Sequence, residues 1–288
     1  MKDINHLVLA GHDLEALRNG YQALGFTLTP RGYLPFGIGN SRIQLQGSDH
    51  STFLELLSVT VPQDVPEHSA GHFSFGAFNR DFLARHEGLS MIVLDTADAR
   101  ADIQSWRTAG LQTYEPFDFT RMAKMADGTD VKLGFSVAFV SHPAAPWLGL
   151  LACQYHTPEF FAQPEYMRHA NGAWMLQDVW VTGETALDLA DFIGAVTGAN
   201  GAAEGSDQIV FQTGTGAIVL ARPRAFEAAF GVPQPHPEDG PHLAGYTVAC
   251  HSLAALKEFG LVETGGRYVL APARNFGAAI GFVERPRH

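Results

Sequence analysis

The chain repeats one arrangement of predicted elements along its length, and such a repeat restricts the fold more than any single motif does. Residues 4–10, INHLVLA, form an apolar run typical of a strand, and residues 14–25 follow with apolar side chains at helical spacing. Asp13 stands at the N-cap of the predicted helix, and Gly25 closes it. Three strand-like runs come next (FTLTP, NSRIQLQ and TFLELLSVTV), so the unit is a strand, a helix and three strands.

The same order of elements returns further along the chain. The second copy begins at LSMIVLDTADARADIQSW, where Met91 occupies the position of His6 and Asp98 that of Asp13. The third copy begins at AWMLQDVWVTG and the fourth, shorter one at LAGYTVACHS, with mostly apolar residues at the polar positions of the first. The later copies are therefore expected to be structural rather than catalytic.

Four copies of one unit predict an α+β protein of tandem βαβββ modules, with helices on the outer faces of curled mixed sheets. Residues 1–168 are expected to hold paired modules that form a cup, and residues 169–288 a second, degenerate pair. The inserted segment 66–87 is expected to be a linker or a short helical excursion. Whether the first two modules pair within one chain or across a homodimer stays open.

Composition excludes several classes of partner. With 288 residues, 46% of them apolar, the chain can bury cores for two globular domains. Its formal charge is -11 and it has no basic run, so neither nucleic acid nor an anionic membrane is an expected partner. No apolar stretch approaches the roughly 20 residues of a membrane-spanning helix, and a cytoplasmic location is expected. Cys153 and Cys250 lie too far apart for a CxxC site, which disfavours a disulfide framework or a thiolate zinc site.

Strand alternation predicts a polar face in the first copy, because successive side chains of a strand point to opposite sides of a sheet. In INHLVLA, Leu7 and Leu9 must face the helix, which leaves His6 on the other side. The same rule applied to NSRIQLQ and TFLELL leaves four more candidates on that side, namely Arg42, Gln44, Phe53 and Glu55. A solvated face would also account for polar residues here, since antiparallel sheets are often wet on one side.

The strand that ends the second copy adds two candidates. In LACQYHTPE, Gln154 and His156 are two residues apart and are expected to project together. If two modules curl into one cup, His6 and Glu55 come from one wall and Gln154 or His156 from the other. One carboxylate with two imidazoles suits Fe(II) or Mn(II), and similar donors also accept Zn(II), Ni(II) or Co(II).

Each candidate also has an ordinary structural explanation. Glu55 lies in an apolar strand and needs a partner on burial, and an ion pair with Arg42 would serve as well as a metal. His156 can simply cap its strand before Thr157 and Pro158.

Five stretches resemble the vicinal oxygen chelate superfamily of glyoxalases, extradiol dioxygenases and bleomycin-resistance proteins, and more narrowly a bacterial glyoxalase-like domain family. They are INHLVLAGHDLEA, TPRGYLPFGIGN, FLELL, HEGLSMIVLD and CQYHTPEFFAQPEYMRHANGA. The resemblance implies a divalent metal in the cup, which binds substrate through neighbouring oxygens and acts as a Lewis acid. It implies ligand positions on the first and last strands of paired modules, occupied here by His6, Glu55, Met91, and Gln154 or its neighbour His156. Since Met91 is a poor ligand for a hard cation, a three-ligand site and a metal-free site both stay open.

The first functional hypothesis is a metal-dependent lyase, isomerase or extradiol-type dioxygenase that acts on a small oxygen-rich organic molecule. In it, His6, Glu55 and His156 hold the divalent metal, and Glu55 also serves as general base. Arg42 pairs with a substrate anion and Gln154 positions the substrate. The residues expected to contact the substrate are Arg42, Gln44, Phe53 and Gln154.

The alternative hypothesis is a metal-independent binding or resistance-type protein, which sequesters a small hydrophobic or aromatic compound in the same cup. Met91 favours this alternative, because it removes a ligand from the site. A third hypothesis is a structural protein whose later copies serve dimerisation.

Overall fold

The computed structural model describes residues 1–47, 51–125 and 128–285. The first module consists of β1 (Ile4–Ala10), α1 (Leu14–Ala23), β2 (Gly32–Leu34), β3 (Ile38–Gln46) and β4 (Ser51–Val59). After α2 (Phe75–Leu83), the second consists of β5 (Gly88–Asp95), α3 (Ala99–Thr108), β6 (Gln112–Thr113), β7 (Phe117–Lys124), β8 (Asp130–Ser141) and β9 (Gly149–Tyr155).

The third module consists of β10 (Ala173–Thr182), α4 (Ala190–Thr197), β11 (Gly201–Glu204), β12 (Gln208–Gln212) and β13 (Ala217–Ala221). After α5 (Pro223–Phe230), the fourth consists of β14 (His242–Cys250), β15 (Val262–Thr264), β16 (Arg267–Leu270) and β17 (Ala279–Glu284). The helix expected in the fourth module is a 3-10 helix, Ala254–Phe259. None of the helices in the described ranges is long and apolar enough to cross a membrane.

Equivalent helices of the first two modules begin at an aspartate. The Asp13 carboxylate accepts hydrogen bonds from the backbone amides of Glu15 and Ala16 at the start of α1. Asp98 caps the start of α3 in the same way. After α1, Gly25 has φ 83°, a left-handed conformation that favours glycine. The caps expected from the sequence are therefore confirmed.

Strand pairing joins the modules in twos. β1 lies between β4, to which it is parallel, and β5, to which it is antiparallel, and β5 continues in parallel with β9. The first sheet therefore runs β2-β3-β4-β1-β5-β9-β8-β7. The second repeats these pairings in the order β11-β12-β13-β10-β14-β17-β16-β15. The α+β fold of tandem βαβββ modules is confirmed, and the first two modules pair within one chain.

The two sheets share one apolar core on their outer faces, where α1, α3 and α4 pack. Tyr21 on α1 and Tyr246 on β14 join their buried hydroxyls across this core, with 2.7 Å between the oxygens. Gln46 on β3 also pairs with Met175 on β10. Because the halves are joined in this way, their division at residue 168 stays a prediction.

The concave face of each sheet carries an additional helix. Segment 66–87 contains α2, which packs Phe78 and Phe82 on the concave face of the first sheet. α5 packs Phe226 and Phe230 on the concave face of the second. The expected helical excursion is confirmed, and it lies inside the cup rather than on the outer face.

Candidate active site

The concave face of the first sheet, here called the first cup, contains a cavity of about 70 Å³. One buried water needs roughly 10–15 Å³ of such space, so the cavity takes a ligand of a few non-hydrogen atoms or the reactive end of a larger one. Nine aromatic side chains line it: Phe36, Phe53, Phe75, Phe117, Phe119, Phe135, Phe139, Tyr155 and Phe161. Besides the Tyr155 hydroxyl, six further lining residues carry a polar group: His6, Asn40, Arg42, Glu55, Arg121 and Cys153. An apolar wall with a few polar groups is typical of a small-molecule site.

His6 on β1 and Glu55 on β4 lie side by side because these strands are adjacent and parallel. Both side chains are buried, and 3.6 Å separates Nε2 of His6 from Oε2 of Glu55. The His6 ring stacks on Phe53, with 4.2 Å between the ring centroids. The stacking holds the imidazole with Nε2 toward the carboxylate.

Asn5 orients the His6 imidazole from the other side. Its amide nitrogen donates to Asp95 over 2.6 Å, which fixes the direction of the amide oxygen. That oxygen accepts from the Tyr155 hydroxyl at 2.7 Å and lies 2.5 Å from Nδ1 of His6. Because an amide oxygen only accepts, Nδ1 carries the hydrogen, and Nε2 is the atom that faces Glu55. Burial raises the pKa of Tyr155, so its phenol stays protonated and can donate.

The Glu55 carboxylate is held in its ionised form. Burial by itself would raise its pKa, but the neighbouring imidazole of His6, the hydrogen bond from Asn40 and the charge of Arg42 lower it below its ordinary value. The Asn40 amide nitrogen donates to Oε1 at 2.5 Å. Oε2 therefore faces His6 and the cavity.

Two guanidinium groups line the same cavity from different strands. Arg42 lies on β3, with Cζ 5.6 Å from the ring centroids of both Phe53 and Phe161. Arg121 lies on β7, with Cζ 5.9 Å from the Phe135 centroid. Burial lowers the pKa of Arg42, and burial together with the charge of Arg42 lowers the pKa of Arg121 to about 10. Each guanidinium is thus partly desolvated and lies near another positive charge.

The structure brings together four of the residues expected on the concave face: His6, Arg42, Phe53 and Glu55. Gln44 does not line the cavity. Its amide nitrogen donates to the backbone oxygen of Phe161 at 2.9 Å, and its amide oxygen accepts from the backbone nitrogen of Gln163 at 3.0 Å. Gln44 therefore holds the segment that carries Phe161 over the first cup.

Gln154 and His156 lie elsewhere, contrary to the expectation that they project into the cup. The β8–β9 pairing turns Cys153 and Tyr155 toward the cavity, so Gln154 faces the outer side and accepts from the Ala99 amide at 3.3 Å. His156 comes after the end of β9, where its Nε2 lies 3.0 Å from the hydroxyl oxygen of Ser136. A prediction from alternation depends on which residue of a strand is taken as buried, and for β9 that choice was wrong.

Sequence analysis missed three residues of the site. Strand alternation could have found Arg121, because Phe119 and Arg121 are two residues apart on β7 and share the cavity. Asn40 lies two residues before Arg42 on β3 and could have been found in the same way. Asn5 has no such signal: a register shift between residues 4 and 6 lets it contact His6, its own neighbour.

The second module presents apolar side chains at the positions that correspond to His6 and Glu55. Val8 is the register partner of Glu55, and its counterpart Val93 is the register partner of Leu151. Leu151 is therefore the counterpart of Glu55, just as Met91 is the counterpart of His6. Neither side chain is a ligand for a hard divalent cation.

The donors in the first cup do not fit a metal centre. Across residues 1–47, 51–125 and 128–285, no three His, Cys, Asp or Glu side chains lie close enough to hold one ion. Burial raises the pKa of the Cys153 thiol, which keeps it protonated. His6 and Glu55 remain as two donors, whereas catalytic zinc sites, for example, use three protein ligands. Two guanidiniums in the same wall would also repel a cation.

Paired βαβββ modules with curled sheets define a protein of the vicinal oxygen chelate fold. The sequence matches the family described as "Glyoxalase-like domain" over residues 4–195, and the chain belongs to that family. No curated protein matches the chain.

Solved structures with the same fold cover nearly the whole chain. A hypothetical protein from Staphylococcus aureus has a TM-score of 0.70 and 10% identity, over 99% of this chain and 100% of that one. A mutant of 4-hydroxymandelate synthase from Streptomyces coelicolor has a TM-score of 0.57 and 13% identity, over 100% of this chain and 94% of that one. The Mn(II)-bound glyoxalase from Novosphingobium aromaticivorans has a TM-score of 0.57 and 12% identity, over 100% of this chain and 84% of that one. At these identities the likeness concerns the fold alone.

Proposed function

We propose that the protein is a metal-independent enzyme of the lyase or isomerase type, which transfers a proton on a small oxygen-containing organic molecule in the first cup. The observation that carries this proposal is the pair of Glu55 and His6. A buried, ionised carboxylate lies 3.6 Å from an imidazole whose orientation Asn5 sets. Carboxylates and imidazoles are common general acids and bases, and an aromatic wall that excludes water strengthens their electrostatic interactions.

In this mechanism Glu55 Oε2 accepts a proton from a carbon next to a carbonyl group. The electron pair of the broken C–H bond moves toward the carbonyl oxygen and leaves an enolate. Arg42 and Arg121 place positive charge in the same cavity, which stabilises the charge that develops on that oxygen. The proton then returns to the same carbon or to another, from Glu55 or through Nε2 of His6.

The superfamily resemblance implies a divalent ion, namely Zn, Fe(II), Mn, Ni or Co, but the donor set supports a metal-free site. His156, the third expected ligand, contacts Ser136 and does not line the cavity. A guanidinium pair can supply the positive charge that a Lewis acid would supply elsewhere. An extradiol-type dioxygenase, which needs a metal to handle oxygen, is the least supported of the three expected reaction types.

The aromatic wall favours a second candidate function, the metal-independent binding of a small aromatic compound. Nine aromatic side chains line the cavity, and they would bind such a compound without any chemical step. In that case the polar groups would only orient the ligand. Binding without turnover separates this candidate from the enzyme.

Exchange of carbon-bound hydrogen with solvent tests the proposed function directly. Phenylpyruvate and 2-oxobutanoate are incubated with the protein in D2O, and loss of the C3 proton signal is followed by NMR. We expect Glu55→Gln to slow the catalysed exchange by about 100-fold or more, since losing a general base typically costs 10²–10⁴-fold. Glu115→Gln, at an exposed glutamate paired with Arg107, is the matched control and should leave the rate unchanged.

Exchange that survives in the Glu55→Gln variant would contradict the proposal, and binding of these acids without exchange would favour the second candidate. Metal independence has its own test: elemental analysis of protein purified without chelator, and the exchange rate in the presence of EDTA. We expect little bound metal and an unchanged rate. One equivalent of metal that is absent from the Glu55→Gln variant would overturn metal independence.

A further inference from the structure

The two arginines of the first cup have no polar partner in the part of the chain that the structure describes. Among the described residues, neither the Arg42 nor the Arg121 guanidinium forms an ion pair within 4.0 Å or donates a hydrogen bond. Their contacts are with the faces of Phe53, Phe161 and Phe135 at 5.6–5.9 Å. These distances lie near the limit of about 6 Å for cation–π attraction, and that attraction does not neutralise the charge.

The second sheet shows what a partnered arginine looks like in this fold. On its concave face, Arg267 likewise lies over two aromatic rings, 5.6 Å from Trp180 and 5.4 Å from Phe230. It also pairs with Asp178 at 3.4 Å and donates to the Thr247 hydroxyl at 3.1 Å. The protein itself therefore supplies the anion in the second cup.

In the first cup the charges of the wall do not balance. Arg42 and Arg121 contribute two positive charges, and Glu55, whose Oε1 already accepts from Asn40, contributes one negative charge. The His6 imidazole adds no negative charge, so at least one positive charge is left in a mostly aromatic wall. An uncompensated buried charge is costly, so a bound anion would be strongly stabilised there.

We propose that Arg42 and Arg121 bind the carboxylate of the substrate, so that the substrate class is a small organic carboxylic acid with an apolar or aromatic body. This inference rests on the proposed function, since it names the substrate of the same site. A carboxylate supplies the negative charge that the wall lacks. A planar carboxylate also suits guanidinium donors, which can bind it through two parallel hydrogen bonds. The apolar body of the acid would contact the phenylalanine rings, and the small cavity limits its size.

Matched acids and amides test the inference by isothermal titration calorimetry. The probes are benzoate with benzamide and butanoate with butanamide, pairs of similar shape that differ in charge. We expect the acids to bind at least about tenfold more tightly than the amides, because a charged hydrogen bond contributes about 1.5–3 kcal/mol. Equal binding of acid and amide, or binding of neither acid at millimolar concentration, would overturn the inference.

Variants of the two arginines locate the binding group. Arg121→Gln and Arg42→Gln should each weaken benzoate binding by about tenfold or more and leave benzamide binding nearly unchanged. Arg107→Gln, at an exposed arginine of the second module, is the matched control and should change neither. If a Gln variant fails to fold, as judged by circular dichroism, Arg121→Lys keeps the charge but not the fork of donors, and benzoate should still bind more weakly. Unchanged benzoate affinity in every folded arginine variant would overturn the inference.

The Glu55→Gln variant separates this inference from the proposed function. Removing a negative charge from the wall should maintain or increase benzoate affinity, while hydrogen exchange is lost. Tight binding of acids with exchange that does not depend on Glu55 would refute the proton-transfer proposal and leave the carboxylate site standing. Exchange that depends on Glu55 but acts equally on acids and on their amides would support the proton-transfer proposal and refute the carboxylate site.

Discussion

The concave faces of the two sheets, the first and second cups, have the same strand pairings but carry different polar residues. On β1, His6 pairs with Phe53 of β4 and Val93 of β5. On β10, Asp178 occupies the corresponding place, with Ala217 of β13 and Thr247 of β14 as its partners. Position alone therefore does not make a site, since the same place in the repeat holds a histidine in one cup and an aspartate in the other.

The difference lies in how each cup satisfies its polar groups. In the second cup, the Asp178 carboxylate accepts from the Trp180 indole at 2.8 Å and pairs with Arg267, under the aromatic rings of α5. In the first cup, two guanidiniums line the cavity, and neither has a carboxylate within 4.0 Å among the described residues. A closed set of interactions stabilises the fold, whereas an incomplete set can bind a ligand.

The largest effect expected from this comparison concerns stability. Asp178→Ala leaves the partly buried Arg267 without its carboxylate and the Trp180 indole without its acceptor, and should destabilise the protein by about 2–3 kcal/mol. Arg121→Gln removes a positive charge that has no carboxylate within 4.0 Å among the described residues, and should leave stability unchanged or raise it. Urea denaturation of both variants, followed by circular dichroism, measures the free energies of unfolding.

A similar loss of stability in both variants would show that the charged groups of both cups stabilise the fold to the same extent. Benzoate titration of Asp178→Ala supplies the complementary control, because a change in the second cup should not alter binding in the first.

A smaller effect is expected from pH, through Glu55. Its pKa in the folded protein is below the ordinary value of 4.5, so ionised Glu55 contributes stability above that pH, and the contribution is lost as pH falls through the lower folded value. The free energy of unfolding of the wild type should therefore fall more steeply below pH 4.5 than that of the Glu55→Gln variant. Identical pH profiles for the two proteins would show that Glu55 is not held as an anion. The paired surface carboxylate Asp118, whose pKa is also lowered, contributes equally to both and cancels in the comparison.

The smallest effects are expected from Gln154 and His156, which lie outside the cavity. Gln154→Ala removes an acceptor from the start of α3 and should cost about 1 kcal/mol or less. His156→Ala removes a contact with Ser136 and should have an effect of similar size. Neither change should alter benzoate affinity or hydrogen exchange, and a loss of either would place these residues back in the site.

Much of the fold could be predicted because its signals are local. An apolar run, a capping aspartate such as Asp13 or Asp98 and helical spacing recur along the chain, and each predicts an element without reference to the rest. Alternation also predicted the shared face of His6, Arg42 and Glu55. The apolar residues that alternate with them in those strands face the helix, so the polar residues must lie on the concave side.

Prediction failed where the environment of a strand decides its orientation. β9 has the sequence GLLACQY, in which either set of alternate residues could face the cup. Only the pairing of β9 with β8 turns Cys153 and Tyr155 toward the cavity. Arg121 becomes part of the site because β7 lies at the far edge of the same curled sheet, a fact of pairing order rather than of sequence spacing.

The sequence by itself determined the repeat, the helix starts and the strands that carry an acid and an imidazole, since these depend on the chemistry of neighbouring residues. Only the tertiary structure decided that Asn5 orients His6, that Asn40 holds Glu55, and that two arginines from different modules share one cavity. The physical reason is that strand order and register bring together side chains far apart in the chain, and no local pattern encodes that contact.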